Sequence, residues 1–115
     1  MNVSMTKDLS NNIVDELCVD TIITGNIETV NDLRIDGVIE GDIVTLGRVV
    51  VGERARVHGN IKCSNIDVLG IVQGDICSSG IVVLKMSANV SGNILTEIIS
   101  IDPGAVFNGR CSIIE

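Results

Sequence analysis

From Thr21 onward, apolar and polar residues alternate in runs of three or four positions, broken by Gly, Asn, Asp or Ser. Leu33 and Ile35, Val49 and Val51, Ile66 and Val68, Val82 and Leu84, and Ile99 and Ile101 are apolar pairs two residues apart. A period of two with β-branched residues in the majority predicts short strands. Ser, Asn, Gly and Val are too frequent for helices, and no stripe with a 3.6-residue period persists.

The runs sit on a repeat. Gly25-Asn26-Ile27, Gly41-Asp42-Ile43, Gly59-Asn60-Ile61, Gly74-Asp75-Ile76, Gly92-Asn93-Ile94 and Gly109-Arg110-Cys111 follow one another at spacings of 16, 18, 15, 18 and 17 residues. Two residues before these glycines stand Ile23, Ile39, Val57, Val72, Val90 and Phe107. Four residues before them stand the small residues Thr21, Gly37, Ala55, Gly70, Ala88 and Ala105. Three strands and three corners in about 17 residues form one triangular layer, and a unit this short buries its apolar face only by stacking on its neighbours. The expected fold is all-β: a single-stranded parallel β-helix of about six triangular rungs of ~17 residues, with isoleucines in ladders roughly 4.8 Å apart. The rod would be on the order of 30 Å long. The small column suits a corner where backbones approach closely, and Asp102-Pro103-Gly104 is a turn signal. An immunoglobulin-like sandwich is excluded because its strands do not repeat one residue-level phrase.

Composition agrees. Of 115 residues, 45% are apolar but only Phe107 is aromatic, as suits a narrow interior of Ile, Val and Leu. The net charge of −7 argues against a nucleic-acid partner. Arg48, Arg54, Arg56 and Lys62, with His58 nearby, read as a solvated face. Cys18, Cys63, Cys77 and Cys111 show no metal-ligand spacing and read as structural thiols; Cys63 and Cys77 fall at comparable places in successive rungs. No apolar run is long enough to span a membrane, and the N-terminus lacks a signal-peptide core, so a cytoplasmic protein is expected. Residues 1–19 read as a flexible N-terminal tail and 20–115 as a β-helix polymerisation domain. Ile13, Val14, Leu17 and Cys18 would line up as an apolar stripe if the tail became helical.

Catalysis finds little support. The chain has one histidine, His58, and neither Tyr nor Trp. Asp42 and Asp75 share a turn position with Asn26, Asn60 and Asn93, where a short polar side chain bonds nearby backbone, so this column reads as structural. Neither GxxxxGK[ST] nor GxGxxG occurs. No catalytic residue, cofactor or metal site is expected. The open ends of the coil are the remaining candidates, since a terminal layer leaves strand edges and apolar interior uncovered. The expected polymer interface comprises Phe107, Val90, Ile113, Ile23 and Ile27.

The chain resembles the bactofilins, bacterial cytoskeletal proteins, over roughly Thr21 to Ile114. The resemblance is carried by Asp32-Leu33-Arg34-Ile35-Asp36-Gly37, Ile39-Glu40-Gly41-Asp42-Ile43, Val57-His58-Gly59-Asn60-Ile61 and Val90-Ser91-Gly92-Asn93-Ile94, and by the ending Pro103-Gly104-Ala105-Val106-Phe107-Asn108-Gly109-Arg110-Cys111-Ser112. It implies a right-handed coil that self-assembles end to end into nonpolar filaments without nucleotide, with Phe107 at the contact. It also implies a scaffold for cell shape, envelope organisation or protein localisation, with the inner membrane or cell-envelope enzymes as further partners, the former reached through the N-terminal tail. This tail is short and Pro-free. The alternatives are a hexapeptide-repeat-like β-helical acyltransferase, for which His58 is the single candidate base, and a β-helical division-regulator domain.

Overall fold

The computed structural model describes residues 16–19 and 21–114, with side chains from Thr21 onward. Three parallel six-stranded sheets form the faces of a triangular coil. The first face holds Glu16–Val19, Asp32–Ile35, Arg48–Val51, Asn65–Val68, Ile81–Leu84 and Ile98–Ile101. Ile22–Thr24, Val38–Glu40, Arg56–His58, Ile71–Gln73, Asn89–Ser91 and Val106–Asn108 make the second. The third comprises Ile27–Thr29, Ile43–Thr45, Ile61–Cys63, Ile76–Ser78, Ile94–Thr96 and Cys111–Ile113.

The register puts each repeat position on its equivalent one layer away: Leu33 against Val49, Ile39 against Val57, and Ile43 against Ile61. Ile27, Ile43, Ile61, Ile76 and Ile94 form a central ladder exposed by no more than 1%. Each contributes on the order of 1.5–3 kcal/mol of burial. The middle residues of the same strands, Glu28, Val44, Lys62, Cys77 and Leu95, turn outward, as alternation requires.

The coil begins before the expected boundary at residue 20. Glu16–Val19 pairs with Asp32–Ile35, setting Leu17 against Leu33 and Val19 against Ile35. Leu17 and Cys18, considered for a helical stripe, therefore lie in a strand. Ile13, Val14 and the rest of the expected tail before residue 16 lie outside the described residues.

Two corner devices hold the layers in register. Between the second and third faces, the oxygen of each Asx side chain accepts the backbone N–H of its equivalent in the next layer. Asn26 accepts from Asp42 at 2.9 Å, Asp42 from Asn60 at 2.9 Å, Asn60 from Asp75 at 3.0 Å, and Asp75 from Asn93 at 2.9 Å. The glycine preceding each Asx stacks directly on the glycine below. Gly92, with φ of 140°, has no room for a Cβ, which would lie 2.6 Å from the Gly74 carbonyl carbon.

The second device lies inside. Thr29, Thr45, Ser78 and Thr96 point into the core yet are polar. The Thr45 hydroxyl donates to the Asn31 carbonyl at 2.6 Å and accepts from the Gly47 N–H at 3.1 Å. Ser78 bonds the Ser64 carbonyl at 2.7 Å and the Gly80 N–H at 3.1 Å in the same way. Buried hydroxyls are tolerated because each satisfies backbone groups that the corner takes out of the ladder. In the layer where Cys63 fills this position, the donor moves one residue along the chain, and Ser64 bonds the Leu46 carbonyl.

Candidate assembly interface

The last layer is built like the others but is uncovered. Its strands Ile98–Ile101, Val106–Asn108 and Cys111–Ile113 each terminate a sheet. In the layer beneath, the inward residues Val82, Leu84, Val90, Ile94 and Thr96 are at most 1% exposed. Their counterparts are open: Ile101 is 49% and Ile113 51% exposed, while Ile99, Ala105, Phe107 and Cys111 are half-buried. Phe107 rests on Val90, Cys111 on Ile94 and Ile113 on Thr96. The end thus presents an apolar disc rimmed by strand edges whose backbone groups point away from the rod, the arrangement that templates further pairing.

The structure brings Phe107 and Ile113 together on this disc, with Ile99, Ile101, Ala105 and Cys111 beside them. Those four were not singled out from the sequence, although they belong to the same inward columns. Ile23 and Ile27 lie at the opposite end, where Ile23 is half-buried and Ile27 only 1% exposed. Val90 is completely buried one layer below the disc. Val90 and Ile27 therefore offer no surface to a partner.

The other candidate chemistry disperses. His58 stands exposed on an outward strand, in register between Glu40 and Gln73. A cleft of about 700 Å³ between the first and second faces is lined by Arg34, Asp36, Glu53, Arg54, Asp67 and Leu69, among others. Its charges are partly matched: Arg34 Nε donates to Asp36 Oδ2 at 3.1 Å, and Arg48 lies 3.9 Å from Asp67. Among the described residues no group of three His, Cys, Asp or Glu side chains is placed to hold a metal ion. No described helix is long and apolar enough to cross a membrane. Arg48, Arg54, Arg56 and Lys62 are all exposed, but they do not share one face. Arg48 lies on the first, Arg56 on the second, Lys62 on the third and Arg54 at a corner, because successive strands of one layer turn onto different sheets.

Cys63 and Cys77 occupy adjacent strands of the third face but not the same position. Cys77 is level with Lys62, and Cys63 with Ser78, so the Cys63 thiol points inward and the Cys77 thiol outward. Both are free, as is Cys111. Burial, reinforced by the neighbouring Cys77 thiol, pushes the Cys63 thiol up to about 12. Since the thiolate is the reactive form, iodoacetamide at pH 8 is expected to alkylate Cys77 at least about 100-fold faster than Cys63 in the folded protein. Unfolding should abolish the difference. Equal rates in the native state, read by peptide mass spectrometry, would contradict the inward placement of Cys63.

A family model described as bactofilin, polymer-forming cytoskeletal, matches residues 16–112. Its first matched residue is the first residue of the first strand. Comparisons with curated proteins and with solved structures give no match.

Proposed function

Because the chain belongs to the bactofilin family of polymer-forming cytoskeletal proteins, we propose that it is a scaffold whose subunits join through the ends of the coil into nonpolar filaments, without nucleotide. The uncovered last layer carries this reading. A disc containing Ile101 at 49% and Ile113 at 51% exposure, beside half-buried Phe107, is an interior cut open. Joining like ends about a two-fold axis would cover the disc with an identical disc and give each strand edge a partner. Strand-edge pairing at such a contact adds directional bonds to apolar burial.

On this reading the chain has a structural rather than a catalytic role. It supports cell shape, envelope organisation or the placement of other proteins, in the cytoplasm or on the cytoplasmic face of the membrane. Envelope enzymes are the partners such a scaffold would organise. The test is negative-stain electron microscopy of the purified full-length chain in physiological salt with no nucleotide. Uniform filaments are expected. Discrete monomers or trimers at high protein concentration would overturn the proposal.

A further inference from the structure

The corner ladder of Asx side chains runs through every layer and then stops. Asn93 Oδ1 accepts the Arg110 N–H at 3.2 Å, so Arg110 receives the last bond of the series. Its own side chain cannot give the next. A guanidinium has five N–H donors and no acceptor. The backbone at this corner has not changed, for Gly109 keeps the positive φ of its column at 154° and stacks on Gly92 as the earlier glycines do. The repeat is therefore interrupted by one side chain and not by the path of the chain. At the other end Asn26 keeps the repeat's own residue, preceded by Gly25 with φ of 132°.

This difference bears on how a second copy can add. If the N-terminal layer of one copy were laid on the C-terminal layer of another as a further rung, Gly25 would stack on Gly109 and the Asn26 N–H would come over Arg110. Every internal corner offers that N–H an oxygen at 2.9–3.2 Å. This junction would offer a cation, placing a positive group against the positive end of an N–H dipole. Contact between two C-terminal ends makes no such demand, because the Arg110 N–H of each copy already bonds to its own Asn93.

We infer that Arg110 is a stop: it excludes head-to-tail addition of a second copy as a continuing rung and confines the C-terminal end to contact with a like end. The inference rests on the end-to-end assembly proposed above and assigns Arg110 the choice of polarity within it. Arg110 is exposed, so its replacement leaves the core untouched.

The experiment is electron cryomicroscopy of filaments of the full chain, reading the axial repeat. Six layers make a subunit roughly 30 Å long, so alternating subunits repeat at roughly 60 Å and head-to-tail subunits at roughly 30 Å. The wild-type chain should show the longer repeat. Arg110→Asn restores the acceptor and should weaken or abolish the longer repeat as head-to-tail junctions enter. Arg110→Lys, still a cation without an acceptor, should keep it. An Arg110→Asn filament with the full wild-type repeat overturns the inference while leaving the polymer reading intact. A wild-type filament with the shorter repeat overturns both the inference and the nonpolar arrangement proposed above, and leaves only end-to-end assembly standing. A wild-type chain that forms no filaments removes the polymer reading and this inference with it.

Discussion

Replacing Phe107 by arginine is expected to leave a folded subunit that no longer forms filaments. The ring lies on the open disc, half-buried against Val90, with its remaining surface available to a second copy. An arginine there would place a charge without a partner in an apolar contact, and breaking such a contact costs several kcal/mol. Two copies of the charge would also face each other across a two-fold contact. The concentration needed for filaments should rise at least about 100-fold, equivalent to about 2.8 kcal/mol. The fold should survive, because the layers beneath the disc keep their register and buried ladders and lose only the ring over Val90. Sedimentation and electron microscopy read the assembly, and circular dichroism reads the fold. If Phe107→Arg pellets like the wild-type chain, the disc is not the assembly surface.

Gly92→Ala is the second large effect, and it acts on the fold instead of on assembly. At φ of 140° an L side chain is strained wherever it occurs, and here the added carbon would also meet the Gly74 backbone directly below. Backbone cannot move aside as a flexible side chain can, and shifting it would disturb the Asn93–Asp75 bond beside it. Strain and overpacking together should cost roughly 3 kcal/mol, lowering the melting temperature by roughly 10–15 °C. The Phe107→Arg background is the place to measure it, so that filament contacts do not mask the loss. A change of less than a few degrees there would mean that the glycine stack tolerates a methyl group.

Much of this architecture can be read in the sequence because a β-solenoid converts chain period directly into stacking. The columns beginning at Ile23, Asn26 and Ile27 are columns in space, since parallel register sets each residue over its equivalent. What escaped the reading has equally local causes. Leu17 and Val19 belong to the first layer, but no glycine phrase precedes them to anchor the repeat. Cys63 and Cys77 are separated by 14 residues, whereas the register places Ser78 over Cys63; a slip of one position turns a side chain to the opposite face of a strand. The interior hydroxyls of Thr45 and Ser78 look like turn residues in sequence, and only their bonds to corner carbonyls explain their burial. Column membership also does not say which layer is outermost. Val90 shares the column of Phe107 yet lies one layer in and is buried, whereas Ile101 lies in the outermost layer and is exposed.

The direction of the interlayer bonds has a mechanical consequence. In a parallel coil the backbone hydrogen bonds run along the rod, so tension on a filament would load each layer boundary in shear-free extension. Within a subunit three sheets and the Asx corner resist together at every boundary, as do the buried side chains that interlock between layers. The junction between subunits lacks a covalent chain threading across it, whereas every internal boundary is crossed by the polypeptide itself. A stretched filament should therefore snap between subunits and leave intact rods that can rejoin.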